Sequence, residues 1–70
     1  MKIAKNLKQH REMNNLTQVE LSKLTGITQG AISHWETEKR IPNVIECAIL
    51  ADFYGITIDE LVGHEIKKNW

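Results

Sequence analysis

One cysteine, one proline and four glycines are all that punctuate these 70 residues. Lone Cys47 cannot close an internal disulfide, so the fold must be held by packing, and a reducing, cytoplasmic setting is expected. No apolar run approaches the roughly 18 residues of a membrane span. Lys2, Lys5 and Lys8 break up the N-terminus before a signal-peptide h-region could form. Net charge is also lacking: nine basic residues cancel nine acidic ones, which argues against indiscriminate binding to polyanions. What is present, 41% hydrophobic and 26% charged residues, is a globular composition. A chain this short hides only about 60% of the surface that its unfolded form exposes, so its packing must be economical or be helped by assembly.

The zero total conceals a division. Residues 1–40 carry seven cations against four acidic groups, a net +3; the remainder carries two against five, a net −3. An anionic partner should therefore meet the N-terminal part.

Asn14-Asn15, Thr25-Gly26, Ile41-Pro42 and Gly55 divide the chain, and no segment alternates with period two as a strand would. The expectation is an all-α fold of five short helices. The first, over residues 2–13, aligns Ile3, Leu7 and Arg11 on one stripe, with the arginine interrupting an apolar face. The second starts at Thr17, answered three residues on by Glu20 as a capping box, runs through Val19, Leu21 and Leu24, and exits at Gly26. A third is capped by Thr28 and turns Ile32 and Trp35 inward, leaving Gln29, Gly30, Ser33, His34 and Thr37 on the other side. After Pro42, Asn43 and Glu46 repeat the cap logic ahead of the apolar run from Val44 to Phe53, which reads as the most buried helix. Thr57 and Glu60 cap a short fifth helix that Gly63 closes.

Between Thr17 and Glu36, two helices of about two turns are joined by Thr25-Gly26-Ile27, a short glycine turn. Small Ser22 sits where the pair must approach closely, and the polar side of the third helix projects outward. This stretch resembles the phage repressor and Cro (XRE-type) family of helix-turn-helix proteins. The matching string is Leu16-Thr17-Gln18-x-Glu20-Leu21-Ser22-x-Leu24-Thr25-Gly26-Ile27-Thr28-Gln29-x-x-Ile32-Ser33-x-Trp35-Glu36. Lys39-Arg40-x-Pro42 and Leu50-Ala51-x-x-x-Gly55-Ile56-x-x-Asp59-Glu60-Leu61 follow it, so the resemblance covers nearly everything from Lys5 to Gly63.

The resemblance implies a lambda-repressor-like domain over residues 1–63 with the helix-turn-helix in its second and third helices, followed by a C-terminal tail over residues 64–70. It implies double-stranded DNA as partner, with the third helix in the major groove, where each base pair displays its own donor and acceptor pattern. Gln29 is expected to read a base, since a carboxamide pairs bidentately with adenine; Ser33, His34 and Gly30, the last by allowing close backbone approach, complete the base-facing set. Thr17, Gln18 and Thr28 at helix starts, with Lys39, Arg40 and Asn43 beyond the third helix, are expected to hold phosphates. Arg11 and Glu36 correspond to the family's structural ion pair. Glu38 departs from the pattern: the family usually has glycine there.

No catalytic residues and no metal ligands are expected. His10, His34, His64 and Cys47 lack ligand spacing, no nucleophile has a cleft to occupy, and no cofactor is implied. Val62, Ile66 and Trp70 recur at helical spacing and suggest self-association through the C-terminal region. The expected function is a prokaryotic or phage transcriptional regulator, acting as a repressor by occupying a palindromic operator as a homodimer. The alternative is an antitoxin or anti-repressor module with a protein partner.

Overall fold

The computed structural model of the chain describes residues 2–63. They form α1 (Ile3–Met13), α2 (Gln18–Thr25), α3 (Gln29–Glu36), α4 (Val44–Tyr54) and α5 (Ile58–Val62), with no strand among the described residues. The all-α, five-helix expectation is met.

Local chemistry sets the boundaries. At α2, α4 and α5 the N-cap side chains of Thr17, Asn43 and Thr57 accept the N3 backbone N–H, and Glu20, Glu46 and Glu60 reach back to the cap N–H, so three capping boxes are complete. Thr28 caps α3 by accepting the Ala31 N–H at 3.2 Å. Gly26 leaves α2 at φ +80°, a conformation that costs a residue with a Cβ about 1 kcal/mol or more, and so allows α3 to start at Gln29, three residues later. α1 begins without a side-chain cap and exits through Asn15 at φ +57°.

The core is drawn from every helix: Leu7, Leu21, Ile27, Ile32, Trp35, Cys47, Leu50, Ala51, Leu61 and Val62. α1 packs on α3 and α5, α2 on α3 and α4, and α4 on α5, so α3 is fixed from behind by Ile32 and Trp35. α5 is latched to α1 by Asn6, whose Nδ2 donates to the Val62 carbonyl at 2.9 Å. A Cβ at Gly63 would collide with that same amide group.

One expectation is corrected. α4 is not the most buried helix: Cys47, Leu50 and Ala51 pack inward, whereas Val44 and Ile45 remain 71% and 68% exposed, with Ile49 and Phe53 about 40% exposed on the same side. The reason is that apolar residues encircle this helix. Periodicity then gives it no single direction, and a chain this small has too little mass to cover both sides. On α2, likewise, only Leu21 is buried, and Val19 and Leu24 lie on its open side.

Candidate nucleic-acid interface

The outer side of α3 is built upon an ion pair inside the protein. Arg11, on the apolar stripe of α1, donates from Nε and Nη2 to the two carboxylate oxygens of Glu36 at 2.8 and 2.9 Å, and from Nη1 to the Leu16 carbonyl at 2.7 Å. The two side chains are only 11% and 4% exposed. Burial alone would push the Glu36 carboxyl up, but hydrogen bonds from Arg11 and Gln18 and the guanidinium charge hold it below its ordinary value. The Glu36 contact, against the opposing effect of burial, raises the pKa of Arg11. The structural pair expected from the sequence is therefore present.

The pair does not end at Glu36. Gln18 donates from Nε2 to Glu36 Oε1 at 3.1 Å, and its own Oε1 accepts from Gln29 Nε2 at 3.4 Å. A chain of polar contacts thus runs from the interior, Arg11 to Glu36 to Gln18, out to the first residue of α3. These contacts assign the amide orientations: the Glu36 carboxylate demands a donor from Gln18, which turns the Gln18 oxygen toward Gln29. Gln29 keeps its oxygen and one N–H free, the acceptor and donor needed for a bidentate contact with adenine. The Gln18 to Gln29 link joins residues eleven apart on different helices, and no periodic signal in the sequence marks it.

Gln29 and Gly30 are exposed, whereas Ser33 and His34 are half-buried, less open than a projecting polar face would suggest. Open space lies where a Cβ at Gly30 would be, so backbone and solvent meet there directly. Thr28, Gly30, His34, Arg40 and Asn43 share an open groove of about 560 Å³ between α3 and the start of α4. This groove brings together candidates from both sets, base-facing and phosphate-facing. Ala31, Trp35, Ile41 and Glu46 also line it, although none of them was expected to contact DNA. The capping box already read for Asn43 and Glu46 implies this place for Glu46, because it obliges the N3 carboxylate to sit at the helix start.

The cap residues retain donors. The hydroxyls of Thr17 and Thr28 accept backbone N–H groups and still carry their own hydrogen, and Asn43 accepts through Oδ1, leaving its NH2 group for an incoming acceptor. Gln18 and Val19 at the start of α2 have N–H groups without intrahelical partners. The backbone N–H and hydroxyl of Thr17 also hold the Glu20 carboxyl below its usual pKa, so a full negative charge stands beside that end.

Lys39 and Arg40 are exposed in the turn after α3, where both backbone N–H groups return to the His34 carbonyl, at 2.9 and 3.2 Å. Glu38 enters this turn at φ +66°, the left-handed conformation for which glycine is the usual residue. Val62 is buried in the core, so it cannot contribute to an exposed seam with Ile66 and Trp70; the tail itself, residues 64–70, lies outside the described residues. Among the described residues no group of three metal-ligating side chains is assembled, and no helix is long and apolar enough to cross a membrane.

Comparison with known proteins matches this architecture. The chain is 37% identical over 65 residues to the HTH-type transcriptional activator BcrR of Enterococcus faecalis, covering 93% of this chain and 32% of that protein. It superposes with a TM-score of 0.81 on the crystal structure of a transcriptional regulator from Listeria innocua at 22% identity, covering 97% of this chain and 63% of the other, a likeness of fold. The chain therefore spans about a third of the length of its curated relative. A sequence profile of the helix-turn-helix family matches residues 7–61, which contain the capped α2, the Gly26 turn and the outward-facing α3. With that match the chain belongs to the helix-turn-helix family, of the repressor and Cro (XRE) type that its sequence resembles.

Proposed function

We propose that this chain is the sequence-specific DNA-binding part of a transcriptional regulator and that α3 reads the major groove. The observation that carries the reading is the exposed Gln29 carboxamide, oriented from behind by Gln18 with an acceptor and a donor left over. Gln29 contacts a base, while Ser33 and His34 act further along the same groove and Gly30 lets the duplex approach. Thr17, Gln18 and Thr28 hold one flanking phosphate run, and Lys39, Arg40 and Asn43 the other. Two copies on a palindromic operator would set their recognition helices about 34 Å apart on one face of the duplex.

Selection of bound duplexes from a random pool near physiological salt tests this directly. Enrichment of a symmetric motif is the expected result, and a pool that stays random overturns the reading. Gln29→Ala should lose roughly 1–3 kcal/mol of discrimination at one base pair. Lys39→Ala and Arg40→Ala should weaken binding to all sequences about equally and flatten the log-log salt slope by about 0.9 each.

Occupancy of an operator that overlaps a promoter would make the chain a repressor by occlusion. The name of the Enterococcus faecalis relative favours the opposite sign, activation. A reporter behind the selected operator separates the two: occlusion lowers its output in the presence of the protein, and recruitment raises it.

A further inference from the structure

The outer side of α4 has no place in the DNA reading. Ile45, Ile49 and Phe53 recur at i, i+4 and i+8 and form one exposed stripe along it, opposite Cys47, Leu50 and Ala51 of the core. None of the three lines the groove beside α3. The stripe is about 12 Å long at about 1.5 Å of helix rise per residue. Ala48 and Asp52, both exposed, border it on one side, and Glu46, whose carboxylate accepts the Asn43 N–H at 2.9 Å, on the other. The acidic border extends beyond this helix. Between residues 41 and 63 stand Glu46, Asp52, Asp59 and Glu60, and no lysine, arginine or histidine.

We infer that this stripe receives a basic amphipathic helix of another protein, which lays apolar side chains on Ile45, Ile49 and Phe53 and sets lysine or arginine beside Asp52 and Glu46. The length of the stripe fits that occupant. About two turns of apolar side chains are what one helix covers where it crosses another, with the small Ala48 allowing a close approach at the edge. Charge selects among occupants. A face bordered by carboxylates and without a cation repels phosphate, whether of DNA or of an anionic lipid surface, and a second copy would set the same acidic groups against one another. A helix flanked by cations is complementary to it, and the attraction steers the encounter before the apolar surfaces meet. The basic excess of the chain lies in residues 1–40, away from this stripe in sequence and in sign. The two surfaces therefore do not compete: an anion can occupy one while the basic helix occupies the other.

The probe is a pair of synthetic amphipathic helices that share one leucine stripe, flanked by lysine in the first peptide and by glutamate in the second. Titrated into the isotope-labelled chain, the lysine peptide should shift the amide resonances of Ile45, Ala48, Ile49, Asp52 and Phe53 and leave those of Gln29 and Ser33 in place. The glutamate peptide should shift neither group. Ile45→Ser, at an open position, should keep the helical circular dichroism and weaken binding of the lysine peptide by about tenfold or more. Asp52→Lys should weaken it by about fivefold. The inference is overturned if the lysine peptide produces no shifts, if the glutamate peptide produces equal ones, if the shifts scatter over all acidic residues, or if binding is indifferent to Ile45→Ser. A doubled mass in sedimentation velocity that Ile45→Ser abolishes would also overturn it, since a second copy would then cover the stripe. A chain that takes up the lysine peptide and enriches no duplex keeps this inference and removes the DNA reading; one that enriches a duplex and ignores the peptide does the reverse.

Discussion

At the level of single residues, the Arg11–Glu36 pair shows what a sequence gives away. A cation on an apolar stripe is visible as an anomaly, and the resemblance supplied its partner. The involvement of Gln18 was not visible, because a contact between residues 18 apart leaves no trace in local pattern. Gln18, proposed to hold a phosphate, also links Glu36 to Gln29 through its amide, which leaves its second amide hydrogen and its backbone N–H for that contact. Removing one member of the pair, as in Glu36→Ala, leaves a buried guanidinium uncompensated and should cost about 3–5 kcal/mol, measured by chemical denaturation. The pair also fixes a response to pH. The Glu36 carboxyl is held below its ordinary value, so its contribution is present above the ordinary carboxylate range and is lost as pH falls through the folded-state value. Glu20 and Glu60, held down by backbone and hydroxyl contacts with their cap threonines, act in the same direction. The melting temperature should therefore fall on acidification below about pH 4.3, and Glu36→Gln should start lower and fall less steeply.

At the level of helices and turns, the starts of α2 to α5 were all readable, since a cap is a contact across three residues and is written in consecutive sequence. Burial direction was readable for α3, where Ile32 and Trp35 stand against Gln29 and Gly30. It was not for α4, whose two sides carry nearly the same hydrophobicity and are told apart only by where the other helices lie. The turn after α3 was flagged by its departure from the family pattern, and the structure gives that departure a conformation: Glu38 at φ +66°. Glu38→Gly should relieve this and raise stability by about 1 kcal/mol. It should also tighten DNA binding by removing a negative charge next to Lys39 and Arg40. Glu38→Gln separates the two effects, because it removes the charge and keeps the side chain. At the opposite end of the fold, Gly63→Ala should lower the melting temperature by forcing Asn6 off the Val62 carbonyl.

For the molecule as a whole, the charge division along the chain marks the basic N-terminal part as the anion-facing one, and Gln18, Gln29, Lys39 and Arg40 all lie within it. The polar chain from Arg11 to Gln29 has a consequence at this scale as well. If Gln29 reads a base as proposed, a carboxamide steered from the interior would meet its duplex already aimed, and less disorder would have to be surrendered on docking. Its preference among the four letters is then no longer a private matter of the groove. A conservative change on the first helix, such as Arg11→Lys, could rewrite which operator is chosen while leaving every DNA-facing atom chemically the same.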